Sequence, residues 1–147
     1  MAIEYIQTLT LSLTDAIKMQ DAQHEIYDTG IVDSNPSLLK ATLTAYSTIL
    51  GFAFTAPTPV AVSAAVAAVL VSLGSDTGLL ETIVKGGYFD LGDITKWMRE
   101  NTQYDLIKVK VSFLDYTAQN IRFVEHTGIN DGLVALHVKN GGGWITA

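Results

Sequence analysis

The feature that most constrains the fold is a stretch without charge from residue 41 to residue 75. Its central part, ILGFAFTAPTPVAVSAAVAAVLVSLG, covers residues 49–74, and Pro57 and Pro59 divide it into two limbs. Proline interrupts the hydrogen bonding of a helix. The second limb, residues 60–74, has 15 residues, or about 22 Å of helix, whereas a spanning helix needs about 20 apolar residues. The stretch therefore predicts a hydrophobic helical hairpin, not one transmembrane helix.

Three environments would cover such a hairpin: the core of the protein, a partner subunit or a lipid bilayer. Burial in the core is the first expectation, because the small side chains of the Ala-rich limb allow close packing on all sides. In pattern, though without a sequence motif, residues 41–75 resemble the hydrophobic hairpins of helical pore-forming toxins. The predicted interface or membrane residues of the hairpin are Ile49, Leu50, Phe52, Phe54, Val60, Val62, Val66, Val69 and Leu70.

Apolar periodicity predicts about five helices in the first part of the chain. The first is expected over residues 2–28, although the alternating TLTLSLT also fits a strand. Glycines at 86 and 87 are expected to close the fourth helix, and Asp90 or Asp93 to cap the fifth. The other predicted helices are Pro36–Phe54, Pro59–Leu73, a short one that starts at Ser75 or Asp76 and runs through Val84, and the segment ITKWMRENT.

After residue 104 the apolar period changes to two. LIKVKVSFLDY alternates strictly, and NIRFVE, LVALHV and a final WIT follow at strand length. These segments predict an antiparallel meander of three to four strands, and helices followed by strands indicate the α+β class. We expect a single domain over residues 1–147, with a helical part at 1–101 and a meander part at 104–147.

Charge is scarce and unevenly distributed. Charged residues make up 16% of the chain, and the net charge is −6. Residues 1–95 contain three Lys and ten carboxylates. Residues 96–147 contain six basic and five acidic residues. A nucleic-acid-binding protein normally shows a basic footprint, so no nucleic-acid partner is expected. A surplus of apolar surface predicts a partner, either a copy of this chain or another protein subunit, with a lipid surface as an alternative.

Motifs of known chemistry are absent from the sequence. There is no cysteine, and no Walker A, G-x-S-x-G or H-E-x-x-H motif occurs. The histidines His24, His126 and His137 are not expected to share one metal. We therefore predict no catalytic residue, no cofactor and no metal. One mild signal is a basic sheet face formed by Lys108, Lys110 and Arg122.

The function predicted from the sequence is non-catalytic. It is a structural or interaction protein that self-associates or docks in a larger assembly, such as a secreted or phage-like particle. The alternatives are a membrane-active protein that inserts residues 41–75 into a bilayer, and a small enzyme. The N-terminus has Glu4 where a secretory signal has basic residues, which leaves cytoplasmic residence and a dedicated export route as expectations.

Overall fold

A computed structural model describes residues 2–147. Five α-helices precede the long strand that begins the C-terminal antiparallel sheet, so the predicted α+β class is confirmed. A π-helical segment, Ile26–Val32, follows the first helix. The helices are α1 (Leu13–Glu25), α2 (Pro36–Leu43), α3 (Ser47–Phe54), α4 (Pro59–Leu73), α5 (Gly78–Glu100) and the short α6 (Ile129–Gly132). The strands are β1 (Ala2–Leu11), β2 (Tyr104–Tyr116), β3 (Ile121–Thr127), β4 (Leu133–Val138) and β5 (Gly143–Thr146).

The N-terminal segment is a strand, so the prediction of one helix over residues 2–28 is wrong. Leu9 and Leu11 are buried while Thr8 and Thr10 are exposed, which is the period of a half-buried strand. Helix α1 begins only after Ser12. The Ser12 hydroxyl accepts from the Asp15 amide, and the Asp15 carboxylate accepts from the Ser12 amide, which completes a capping box.

Two predicted helix boundaries also differ from the structure. The segment predicted as one helix from Pro36 to Phe54 is interrupted by a 3-10 turn, Thr44–Tyr46. The predicted fourth and fifth helices form one helix, α5, which runs through Gly86 and Gly87 without a break. Gly87 has a packing role instead: a Cβ there would lie 1.9 Å from the Val124 carbonyl oxygen.

Strand β2 is the centre of the sheet. Strand β1 pairs with it antiparallel over ten consecutive residues, without a register shift. On the other edge of β2, strands β3 and β4 lie end to end, with Gly128 and α6 between them. Strand β5 pairs with β4. Residues 121–138 therefore act as one long strand with an insertion, whereas a meander would have paired β3 with β4.

Helices α1 and α5 cover the free edge of β3. Gln23, fully buried on α1, donates to the Val124 carbonyl at 2.7 Å and accepts from the Val124 amide at 2.8 Å. The same side chain donates to the Val84 carbonyl of α5 at 3.0 Å. The amide of Gln23 thus replaces a neighbouring strand, because a buried backbone group needs a hydrogen-bond partner.

Candidate functional site

Most of the predicted hairpin surface lies in the core. Its buried members line the helical layer rather than a free surface, which is the first of the three expected environments. The buried members are Ile49, Leu50, Phe54, Val62, Val66 and Val69.

The remaining hairpin residues, Phe52, Val60 and Leu70, are exposed or half-buried. Phe52 and Val60 flank the turn at Pro57 and Pro59, and Val60 is 62% exposed. Among residues 2–147 no single helix is long and apolar enough to cross a membrane. The segments Pro36–Phe54 and Pro59–Leu73 pass such a test only together, and they are bent by 62°.

A shallow apolar groove runs between α2 and α4. Its volume is about 380 Å³, and Leu39, Val66 and Leu70 form its floor. At its rim Val71 is 82% exposed, a high value for a large apolar side chain.

The predicted basic sheet face is only partly correct. Lys108 and Lys110 alternate with the buried residues of β2 and lie on its open face. Arg122, in contrast, is only 5% exposed and lies on the inner face, so its assignment to the basic face is wrong. The predicted meander implied that β3 pairs with β4. In the structure β3 pairs with β2, and Arg122 lies opposite Asp115 of β2.

Arg122 fastens the C-terminal end of α3 to the sheet. Its guanidinium donates to the carbonyls of Ala53 at 3.0 Å and Phe52 at 2.8 Å. It also donates to Gln7 Oε1 at 2.6 Å and lies 3.7 Å from the centre of the Phe113 ring. Carbonyl groups at a helix C-terminus carry partial negative charge, which stabilises a buried cation there.

Within residues 2–147 the longest strand at an edge of the sheet is β1, with ten residues. One edge of this strand pairs with β2, and within residues 2–147 no other strand pairs with the opposite edge. Glu4 is the only charged residue among the ten, and the strand contains neither proline nor glycine. Its alternation in TLTLSLT was the signal in the sequence. We call this surface the β1 edge.

The open face of the sheet continues inward from the β1 edge in register. Ile6 pairs with Ser112, which pairs with His126. Thr8 pairs with Lys110, and Thr10 pairs with Lys108. Ile6 is 68% exposed, so one large apolar side chain stands on this face next to two lysines. Protein edges are usually protected by charge, proline or bulges, and β1 has little of this protection.

A second cluster lies where β3 meets the insertion. The His126 ring has a carboxylate on each side: Nδ1 lies 2.8 Å from Asp90 Oδ2, and Nε2 lies 3.3 Å from Asp131 Oδ2. A ring nitrogen that carries a proton donates to the carboxylate beside it. The cluster borders a cleft of about 740 Å³ between α5 and the insertion. Sequence spacing gave no signal for the His126–Asp90 contact, because 36 residues separate the two.

We expect a measurable pH dependence at His126. The hydrogen bond with Asp131 is the largest cause that raises the pKa of His126 above its ordinary value of 6.5, and Asp90 adds to it. Only the protonated ring donates to both carboxylates. The stabilisation is thus complete below about pH 6.5 and is lost as the pH rises through the folded-state pKa. With the side chain 60% exposed, it amounts to less than about 1 kcal/mol.

An NMR titration of the His126 ring in the wild type and in Asp131→Asn tests this expectation. The variant is expected to titrate at lower pH, and its free energy of unfolding should vary less between pH 5 and pH 8. Identical His126 pKa values in the two proteins would contradict the assigned contact.

The third histidine belongs to a separate pair. His137 Nδ1 lies 2.6 Å from Asp105 Oδ1, and this hydrogen bond holds the pKa of Asp105 below its ordinary value. Within residues 2–147 no group of three His, Cys, Asp or Glu side chains is placed to hold a metal ion. The two carboxylates of the His126 cluster contact different nitrogens of the ring, so they do not converge on one point.

Comparisons with family models, with curated proteins and with solved structures found no match for this chain. The structure itself supports a fold class: an α+β protein in which five helices precede the C-terminal antiparallel sheet.

Proposed function

We propose that this protein is a non-catalytic assembly subunit that self-associates through the β1 edge. The observation that carries the proposal is the unpaired ten-residue edge with a single charge. A row of free N–H and C=O groups is a template for another strand. Pairing with another chain would satisfy these groups and cover Ile6.

The other edges of the sheet are less suited to pairing with a second chain than the β1 edge. The outer edge of β3 meets Gln23, which occupies both backbone groups of Val124. Strand β5 offers only four residues. In the described part of the chain, β1 is therefore the longest strand with an edge open to a partner.

The hairpin gives less support to the membrane-active alternative. Insertion of residues 41–75 into a bilayer would remove Leu50, Phe54 and Val69 from the core, where each is fully buried. A fully buried side chain of this size contributes about 1.5–3 kcal/mol. Assembly needs no such rearrangement, which is why we propose it first.

Self-association is expected to appear as a mass above 15.8 kDa in size-exclusion chromatography with light scattering. The protein should be examined from low to high micromolar concentration at neutral pH. The apparent mass is expected to rise with concentration toward a multiple of the monomer mass. A constant monomer mass over the whole range would overturn the proposed function.

A further inference from the structure

We infer that the occupant of the β1 edge is β1 of a second copy, which pairs antiparallel about a twofold axis at Ile6. The inference rests on the proposed function, because it specifies the partner and the register of that self-association. A twofold interface uses the same surface on both copies. If the interface is made by strand pairing, the strand must have an open edge, as β1 does.

The pleat of the strand restricts the possible registers. Residues that lie directly opposite each other in an antiparallel pair point to the same face of the sheet. For the inner face of β1 to continue into the inner face of a second β1, odd residues must pair with odd and even with even. The axis then passes through a residue position, not between two positions.

Among these registers, an axis at Ile6 places like side chains opposite each other, apolar against apolar on the open face. Ile6 meets Ile6 of the second copy on the open face, so the apolar side chain that is 68% exposed becomes covered on both copies. Tyr5 then lies opposite Gln7 on the inner face. An axis at Gln7 instead would place Ile6 opposite Thr8 and leave it against a polar neighbour.

Charge complementarity supports pairing through the β1 edge, while the choice of register rests on Ile6, because an axis at Gln7 would likewise place Glu4 opposite Thr10 and its partner Lys108. Glu4, the only charge of β1, lies opposite Thr8 of the second copy, and Thr8 is paired with Lys110. Two strand spacings place the Cα atoms of Glu4 and Lys110 about 10 Å apart. Long side chains span that distance on one face. Because the axis is twofold, this contact between opposite charges occurs twice.

Cross-linking tests the register directly, since the chain has no cysteine of its own. In Ile6→Cys, the two introduced thiols are expected to lie next to the axis and to be joined by a short bismaleimide into a covalent dimer. Gln7→Cys reports the neighbouring register. Ser75→Cys, at an exposed turn between α4 and α5, is the control for random collision. Efficient cross-linking of Gln7→Cys without Ile6→Cys would overturn the register.

Charge insertion tests the surface. Ile6→Lys places two like charges against each other at the axis and is expected to raise the dimer dissociation constant at least about tenfold. Val71→Lys is the matched control, because Val71 is an apolar residue of helix α4 that is 82% exposed and lies outside the β1 edge. It is expected to leave the dissociation constant unchanged. Circular dichroism should show that both variants are folded.

The outcomes separate the inference from the proposed function. Dissociation by Ile6→Lys, with no effect of Val71→Lys, supports both. Self-association that Val71→Lys abolishes and Ile6→Lys leaves intact overturns the inference and moves the interface to the groove between α2 and α4. A wild-type protein that stays monomeric overturns both statements.

Discussion

Gly87→Ala is expected to lower the free energy of unfolding by at least about 3 kcal/mol. The added Cβ would lie 1.9 Å from the Val124 carbonyl oxygen and 2.4 Å from Gln23 Nε2. The first atom is backbone of a buried strand and cannot move aside alone. Either α5 shifts away from β3 or the Gln23 hydrogen bonds to Val124 are lost. Denaturant unfolding followed by circular dichroism measures the loss.

Gly86→Ala is the matched control, one residue earlier on the same helix. A Cβ at Gly86 meets no atom within 4 Å among the described residues. Alanine is favoured over glycine inside a helix by about 0.5–1 kcal/mol, so this variant is expected to be slightly more stable than the wild type. Equal stability of Gly86→Ala and Gly87→Ala would contradict the close contact of α5 with β3.

This pair of glycines also shows where sequence reasoning fails. Two adjacent glycines are a usual signal for a helix end, and the prediction placed one there. In the structure the absence of a side chain at Gly87 serves a contact with a strand 37 positions away. Local patterns contain no information about such a contact.

The α+β fold class and the apolar hairpin were predictable, because both depend on periodicity along the chain.

Strand β1 was predictable in part. TLTLSLT has the period of a strand, and the alternative was recognised, but apolar residues at spacings of three and four continue past Thr14 and favoured a helix. The two signals belong to two elements that meet at Ser12, where the capping box separates them. The alternation of TLTLSLT indicated a strand, but the preference for a helix over residues 2–28 left the β1 edge out of the predicted interface.

Arg122→Met is expected to lower the free energy of unfolding by about 3 kcal/mol. Methionine keeps an apolar stem near Phe113 but removes every donor. The Ala53 carbonyl, which is buried, then has no partner from Arg122. Three further hydrogen bonds disappear, to the Phe52 carbonyl, to Gln7 Oε1 and to the Tyr5 hydroxyl. The Tyr5 hydroxyl then keeps only its bond to Asp115.

Two control variants show whether the effect of Arg122→Met comes from its buried hydrogen bonds or only from the loss of a positive charge. Lys110→Met removes a cation from the open face, where substitutions usually change stability by no more than about 0.5 kcal/mol. Arg122→Lys keeps the cation but offers one compact ammonium instead of a planar fork, so it cannot reach α3 and Gln7 together and should fall between the wild type and Arg122→Met. If Arg122→Met and Lys110→Met had equal effects, Arg122 would belong to the open basic face after all. A large difference between them would show that Arg122 holds α3 on the inner face of the sheet, whereas Lys110 lies on the open face and contributes little to folding.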